Sequence, residues 1–238
     1  MSYSFDSIIR FSETGEDELL TISALVNYLQ DCSNFHSSIC GRGYEELQKK
    51  DRLWLFSSWQ IEVKRRPGIG EKVRISTWPY EFKGFFGLRN YVFETAAGER
   101  LAYANAIFVY LDAKNGLPTK LDEEEIAGYE LSEPLTMEYA PRKVLMPKER
   151  AVKESFQVQH HHIDVYHHVN NGEYITMAEN YLPEGFVVAQ MRAEYKNQAK
   201  LGNIIVPEVA TTEKGIIVAL CDEEHTPYAV VEFSSAMD

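Results

Sequence analysis

The chain repeats itself at residues 61–71, IEVKRRPGIGE, and at residues 193–203, AEYKNQAKLGN. The identical positions lie 132 residues apart, and they are Glu62 with Glu194, Lys64 with Lys196, and Gly70 with Gly202. Each copy follows a helix-like segment and precedes several strand-like segments, so both occupy the same place in two similar units. The repeat therefore predicts a duplicated fold with two like domains.

An amphipathic helix is predicted before each copy of the repeat. Residues 19–31 and residues 170–182 carry apolar side chains at positions i, i+3, i+4 and i+7, which share one face of a helix. These side chains are Ile22, Leu25, Val26 and Leu29 in the first helix, and Tyr174, Met177, Ala178 and Tyr181 in the second. Asn170 followed by Glu173 is typical of a capping box and predicts the start of the second helix.

Alternating apolar residues predict several strands after each helix. The first of them is expected around Trp59, Ile61 and Val63 in the first half, and around Val187, Ala189, Met191, Ala193 and Tyr195 in the second. Three more are predicted in each half, at residues 72–78, 88–95 and 102–111, and at residues 203–211, 215–221 and 228–234. The alternation indicates antiparallel sheets with one apolar face.

The predicted fold class is α+β, in which each unit is a long helix wrapped by a curled antiparallel sheet. We expect a first domain at residues 1–111, a connector at residues 112–150 and a second domain at residues 151–238. Residues 112–143 are acidic and then interrupted by prolines, so we expect this part of the connector to lie over the surface.

The composition is that of an ordinary globular chain. Its 238 residues, 45% hydrophobic and 25% charged, suffice for one large or two small cores and exclude disordered and fibrous classes. No apolar run approaches the roughly 20 residues that span a bilayer, and no signal-peptide pattern is present, so a cytoplasmic location is expected. The net charge of −12 argues against a nucleic-acid partner. The cysteines, Cys32, Cys40 and Cys221, form no CxxC pair and predict neither disulfides nor a zinc site.

Five of the seven histidines lie in the stretch HHHIDVYHHVNNGEY at residues 160–174. One interpretation is a metal site, because His160 and His162 share a face of an extended segment that Asp164 could complete. The stretch contains no helical HxxxH pair, so we expect neither a metal nor another cofactor.

A second interpretation is acyl hydrolysis at the start of a helix. Asp164 could attack a carbonyl or orient a water, and His168 could assist proton movement. Backbone N–H groups at Asn170 and Asn171 would stabilise the oxyanion. The alternative is purely structural, with Asp164 forming a turn and Asn170 capping the helix.

The junction resembles the D-x-x-x-HVNN-x-x-Y signature of hotdog-fold thioesterases, especially those acting on acyl-acyl carrier protein. The matching positions are Asp164, His168, Val169, Asn170, Asn171 and Tyr174. The chain length, the two units, residues 23–34 and LGN at residues 201–203 extend the resemblance over nearly the whole chain. The resemblance implies a double hotdog that hydrolyses a fatty acyl thioester, with catalysis by Asp164 and His168 in the second domain.

Two catalytic positions depart from the family pattern. Tyr166 stands where plant members have asparagine, and Gln198 stands where many members have glutamate. Ala199 replaces a cysteine of plant members, which excludes a thiolate mechanism at that place. Gln198 forms hydrogen bonds but cannot act as a base, so proton acceptance shifts toward Asp164. Tyr166 either supplies a phenolic hydrogen bond or packs.

The first half lacks a matching Asp–His pair, since Thr14 and Glu18 fall roughly at those positions. The resemblance implies that this half binds the acyl chain. We expect a pocket lined by Trp54, Phe56 and Trp59, with Tyr80, Phe82, Phe85 and Phe86 as further aromatic candidates. The alternative for each is an ordinary core aromatic.

The implied partner is an acyl carrier protein, which is acidic and needs a local cationic surface on this acidic chain. The candidate docking residues are Lys64, Arg65, Arg66, Arg142 and Lys143, with Lys148, Arg150 and Lys153 nearby. Solvated surface charge is the alternative. An acyl-CoA thioesterase and a non-catalytic acyl-binding module are rival functions, and both a monomer and a homodimer stay open.

Overall fold

The computed structural model describes residues 2–236 of the chain. This part contains eleven strands and four α-helices. These elements divide into two units. The first unit comprises the chain up to Ser57 together with Val63–Ala140, and the second comprises Ser58–Glu62 together with the chain from Pro141 onward.

In the first unit, four antiparallel strands lie in the order β1-β3-β4-β5. The strands of this half are β1 (Tyr3–Ile8), β2 (Arg52–Val63), β3 (Lys72–Lys83), β4 (Phe86–Thr95) and β5 (Arg100–Asp112). The helices are α1 (Ile22–Ile39), α2 (Tyr44–Lys49) and α3 (Glu123–Ala127). The three strands predicted for this half after β2 are confirmed, and each is longer than its prediction.

Helix α1 packs on β1 and β3 through the predicted apolar face. Ile22, Leu25, Val26 and Leu29 are all buried. The side chain of Thr21 accepts a hydrogen bond from the N–H of Ala24 at 3.1 Å, so the helix begins after Thr21 rather than at residue 19. It continues eight residues beyond the predicted end, to Ile39.

In the second unit, antiparallel pairing joins residues Ser58–Glu62 of β2 to β8 and continues in the order β8-β11-β10-β9-β6. Strand β7 also pairs with β9. The strands are β6 (Ala151–Val152), β7 (Phe156–Gln157), β8 (Gln190–Tyr195), β9 (Ile204–Thr212), β10 (Gly215–Cys221) and β11 (Pro227–Ser234), and the helix is α4 (Asn171–Glu179). The three strands predicted after β8 are confirmed.

Two boundaries in this unit were predicted wrongly. Helix α4 ends at Glu179 rather than residue 182, so Tyr181 lies outside it. Pro183 follows closely, and a proline cannot supply the N–H that continues a helix. Val187 is 71% exposed and precedes β8, because the strand begins only at Gln190.

The predicted surface connector is partly buried. Residues 112–140 belong to the first unit, and they contain α3. Leu121, Glu125 and Tyr129 within this segment are buried, contrary to the expectation that the segment lies only over the surface. The sequence did not predict this burial, because a few buried residues in an acidic segment create no periodic pattern.

The repeated stretches make the same backbone hydrogen bonds in both units. The N–H groups of Lys64 and Arg65 donate to the carbonyl of Leu101. In the second unit, the N–H groups of Lys196 and Asn197 both donate to the carbonyl of Tyr228. The aligned glycines, Gly70 and Gly202, have φ angles of 78° and 84°, a region that favours glycine. The sequence repeat therefore reflects equivalent local structure.

No helix within residues 2–236 is long and apolar enough to cross a membrane.

Candidate active site

The motif at residues 164–171 forms a tight turn followed by a helix start. An isolated β-bridge joins Ile163 to Val169. Within it, the N–H of Asp164 donates to the carbonyl of His168 at 2.9 Å, and the N–H of His167 donates to the carbonyl of Asp164 at 3.0 Å. His167 has a φ of 62°, which completes the turn. The turn holds Asp164 and His168 next to each other.

One oxygen of Asp164 stabilises this turn. Its Oδ1 accepts hydrogen bonds from the N–H of Tyr166 at 2.8 Å and of His168 at 3.4 Å. No group among residues 2–236 donates to its Oδ2. The structural interpretation of Asp164 is thus correct for one oxygen, and the second oxygen stays available for chemistry.

His168 is half-buried beside Asp164. Burial and the positive charge of Lys200 lower the pKa of its imidazole, and the negative charge of Asp164 opposes this shift only in part. Its Nδ1 is sealed from solvent and finds no hydrogen-bond partner within residues 2–236. A neutral imidazole of this kind can accept a proton near neutral pH.

Asn170 caps α4, as predicted. Its Oδ1 accepts a hydrogen bond from the N–H of Gly172 at 2.8 Å, and its carbonyl accepts from the N–H of Glu173 at 3.0 Å. These two N–H groups at the helix start are therefore engaged before any substrate arrives. The positive end of the helix axis still favours negative charge in front of α4.

The backbone N–H of Asn170 donates to the carbonyl of His162 at 2.9 Å, so the predicted capping box with Glu173 is incomplete and the predicted oxyanion role of this N–H is wrong. Burial raises the pKa of the Glu173 carboxyl. This half-buried carboxyl is a functional candidate that the sequence interpretation missed. A glutamate three residues after Asn170 is typical of a capping box, so the sequence indicated only a structural role for it.

Tyr174 of the motif anchors the turn. Its hydroxyl accepts a hydrogen bond from the N–H of Ala199 at 2.9 Å, and the carbonyl of Ala199 accepts one from the N–H of Val169 at 2.9 Å. Tyr195 donates its hydroxyl proton to the carbonyl of Asn171 at 3.1 Å. Ala199, after β8, therefore holds the turn, and Tyr195 at the end of β8 holds the helix start.

The two positions that depart from the family pattern lie at the edge of this arrangement. Tyr166 is 36% exposed, and its backbone N–H donates to Asp164 Oδ1 at 2.8 Å. Gln198 is exposed and directly precedes Ala199. Catalytic roles for these two side chains stay predictions. Within residues 2–236, the His, Cys, Asp and Glu side chains form no group of three that could hold a metal ion.

The first unit contains the same turn with different side chains. An isolated bridge joins Thr14 to Leu20, and the N–H of Gly15 donates to the carbonyl of Leu19 at 3.0 Å. Gly15 and Leu19 thus stand at the places of Asp164 and His168. The alignment of Thr14 and Glu18 with that pair was wrong by one residue. The first-unit turn offers no carboxylate or imidazole at either place.

The predicted acyl-binding aromatics lie on two faces of β2. Trp54 packs against Tyr110 with ring centroids 4.9 Å apart, and Phe56 packs against Phe108 at 4.2 Å. Trp59 is 2% exposed and lies on the opposite face, since side chains alternate along a strand. Their predicted role stays a prediction.

Most of the predicted docking cations already have partners. Arg65 pairs with Glu71 and Glu99, each at 2.8 Å. Arg66 pairs with Asp17, and Lys64 lies 5.5 Å from the centroid of the Tyr103 ring.

In the second cluster, Arg142 lies 3.9 Å from Glu194. Lys143 is exposed and forms no ion pair with any carboxylate among residues 2–236. Docking stays a prediction, and it depends on fewer free charges than the sequence indicated.

Two sequence profiles of one family match most of the chain. The profile of the acyl-ACP thioesterase N-terminal domain matches residues 2–129, and that of the acyl-ACP thioesterase C-terminal domain matches residues 145–228. The second match contains the turn from Asp164 to His168 and the start of α4.

Curated relatives from plants are similar at lower identity. A palmitoyl-acyl carrier protein thioesterase of Cuphea hookeriana is 28% identical over 181 residues, covering 70% of this chain and 43% of that protein. One of the same description from Arabidopsis thaliana is 27% identical over 222 residues, covering 86% and 54%. The chain thus spans about half the length of these relatives.

Solved structures of similar proteins share the fold. An acyl-ACP thioesterase from Bacteroides thetaiotaomicron superposes with a TM-score of 0.90 at 20% identity, covering 99% of this chain and 98% of that one. A 12:0-ACP thioesterase from Umbellularia californica gives a TM-score of 0.86 at 17% identity, with 99% and 97% covered. Together with the antiparallel strands and few helices, this similarity establishes an α+β hotdog fold.

Proposed function

Because this chain belongs to the acyl-ACP thioesterase family, we propose that it hydrolyses fatty acyl thioesters of acyl carrier protein. The products are the free fatty acid and the carrier thiol, and the reaction ends fatty acid synthesis. The observation that carries the proposal is the turn that places Asp164 beside His168 in front of α4.

The proposed chemistry is water addition followed by loss of the thiol. Asp164 Oδ2 either orients a water molecule and accepts its proton or attacks the carbonyl carbon itself, and water then releases the acyl group. The neutral His168 imidazole shares the proton transfer, and the proton returns to the departing sulfur. The positive end of α4 stabilises the oxyanion that forms before the carbon–sulfur bond breaks.

Tyr166 and Gln198 are proposed to contact the substrate rather than to accept protons. Both side chains are near the surface, and neither is a carboxylate or an imidazole. The phenol and the amide can hydrogen-bond to the pantetheine arm of the substrate. The general-base function is thereby left to Asp164 and His168.

We also propose that the two units are a tandem pair of hotdogs with divided functions. The first unit, which includes residues 112–140, binds the acyl chain, and the second unit carries catalysis. The equivalent turns support this division, since only the second unit has an Asp–His pair there. The aromatic group around Trp54 offers the acyl chain an apolar surface.

The direct test measures release of free fatty acid from the same acyl group carried either by acyl carrier protein or by coenzyme A. We expect faster release from the carrier protein, because the chain matches this branch of the hotdog thioesterases. A higher kcat/KM on coenzyme A would assign the rival acyl-CoA activity. No release from either thioester across a panel of chain lengths would leave only an acyl-binding function.

A further inference from the structure

A cavity of about 360 Å³ opens on the second unit, on the face of the sheet opposite α4. Tyr195 hydrogen-bonds to α4, and side chains alternate along β8, so its neighbour Glu194 lies on the other face. Glu194 lines the cavity. A volume of this size is within the range of small-molecule sites, roughly 300–1,000 Å³. The cavity is therefore distinct from the catalytic turn.

The floor of the cavity is one row of residues across four strands. The strand register pairs Glu194 with Val230, Val230 with Ala219, and Ala219 with Glu208. Because neighbouring strands lie about 4.8 Å apart, the row spans roughly 14 Å. The middle of the row is apolar and each end is a carboxylate. We call this row and its covering segment the outer trough.

The segment before β6 covers the outer trough. Val144 is 4% exposed and packs with Val230 and Ala219 in one buried cluster, against which Met146 also packs. The backbone N–H of Val144 donates to the Glu194 carboxylate at 3.1 Å. The covering segment is thus fixed at one end of the floor and gives the trough a second apolar wall.

The carboxylates are buried, whereas the cations that pair with them reach the surface. The Glu194 side chain is 3% exposed, and the Nζ of Lys196, whose side chain is 35% exposed, lies 3.3 Å away. The Glu208 side chain is also 3% exposed, and it accepts a hydrogen bond from Arg150 and lies 2.5 Å from Nδ1 of His225. Lys143 adds an unpaired ammonium at the rim.

This arrangement selects a ligand with an anionic head and an apolar body. A ligand that approaches the mouth meets cations that the buried glutamates hold in position. Its body meets the lining side chains that stay accessible, which are Leu145, 80% exposed, and the partly exposed Met146 and Pro227. An all-polar anion such as phosphate would leave this apolar lining unused, and a cationic amphiphile would meet like charge.

We propose that the outer trough binds a free fatty acid, with its carboxylate among the cations and its chain against Leu145 and Met146. The inference rests on the proposed function, because hydrolysis releases this class of molecule. The trough is then a second place that the product occupies, away from the catalytic turn.

The methionines of the chain allow a site-resolved test. Met146 lines the outer trough, whereas Met177 is a buried residue of α4 and lies outside the trough. We expect titration of the methyl-13C-methionine-labelled full chain with decanoate to move the Met146 methyl resonance saturably. Decyltrimethylammonium and inorganic phosphate should leave it unmoved. Equal movement with decyltrimethylammonium or with phosphate would overturn the inference, as would no movement with decanoate.

Variants of the charge and of the apolar lining sharpen this test. Lys143→Gln should weaken the decanoate affinity seen at Met146 about tenfold, the effect of roughly 1.4 kcal/mol. Lys148→Gln is the matched control, because Lys148 is exposed in the same segment and does not line the trough. Leu145→Ser removes an exposed apolar side chain of the lining and should also weaken the decanoate affinity seen at Met146. Equal weakening by both lysine variants would contradict the inference.

The inference and the proposed function fail separately. Fatty acid release without a Met146 response to decanoate rejects the outer trough alone. A saturable Met146 response in a chain that hydrolyses no thioester rejects the proposed function and leaves the fatty acid site.

Discussion

At the scale of single residues, the two oxygens of Asp164 bear on the two interpretations that its sequence context left open. Its Oδ1 holds the turn through two backbone N–H groups, and its Oδ2 accepts no hydrogen bond within residues 2–236. The sequence predicted catalysis by Asp164 and His168 because the motif around them resembles that of hotdog-fold thioesterases, whereas their spacing alone left the structural alternative open. It could not predict that the Tyr174 hydroxyl accepts from Ala199, since that contact joins residues 25 positions apart.

The lowered pKa of His168 predicts how the reaction responds to acid. A neutral imidazole is the active form, so kcat/KM should stay high below the usual pKa of 6.5 and decline only where His168 becomes protonated. The measurement is the pH profile of fatty acid release between pH 4 and 8.

Lys200→Gln tests the cause of this shift. Removing the ammonium near His168 should raise the pKa of the imidazole and move the acidic decline of kcat/KM to higher pH. A decline centred at or above pH 6.5 in the unmodified chain, unmoved by Lys200→Gln, would exclude His168 as the group that titrates.

At the scale of elements, the sequence predicted which face of each helix is buried better than where each helix ends. Apolar periodicity correctly identified Leu25, Val26 and Leu29, because burial on one side of α1 imposes it. Helix α1 ends next to Gly41, which has a φ of 68°, and α4 ends shortly before Pro183. Apolar periodicity carries no information about such stop signals.

The cap of α4 predicts a measurable loss of stability. Asn170→Ala removes the acceptor for the Gly172 N–H and should lower the free energy of unfolding by roughly 0.5–2 kcal/mol. The turn should also loosen, so that kcat falls. The measurement is urea unfolding together with steady-state hydrolysis.

Thr21→Ala is the matched variant, because it removes the equivalent cap of α1 without touching the catalytic turn. We expect a similar loss of stability and little change in kcat. An equal decrease in kcat for both variants would show that the cap of α4 contributes only general stability.

At the scale of the whole molecule, ion pairs decide how many of the predicted docking cations stay free, and the sequence alone does not show these pairs. The chain has 36 acidic and 24 basic residues, so most cations have a carboxylate within reach. Three predicted docking cations pair with carboxylates that are distant in sequence, Arg65 with Glu99, Arg66 with Asp17 and Arg142 with Glu194. A cluster of cations in the sequence therefore overstated the free positive charge on the surface.

Lys143 is the predicted docking cation that should matter most. Lys143→Glu should raise KM for an acyl-carrier substrate severalfold and weaken its dependence on salt, with kcat unchanged. KM for a small acyl-pantetheine should not change. Arg65→Gln provides the comparison, because Glu71 and Glu99 already balance that charge. Equal KM values for Lys143→Glu and the unmodified chain would remove this cluster from the docking face.

If the turn in front of α4 is the hydrolytic centre, Asp164→Asn should remove most of the thioesterase activity. Asparagine can still accept the turn hydrogen bonds through its side-chain oxygen but cannot accept a proton or attack the thioester. We predict that release of fatty acid from acyl-carrier protein falls by about 10²–10⁴-fold with unchanged thermal unfolding. His160→Ala, an exposed histidine outside the turn, should retain full turnover. Undiminished turnover in folded Asp164→Asn would show that Asp164 is neither the base nor the nucleophile of the reaction.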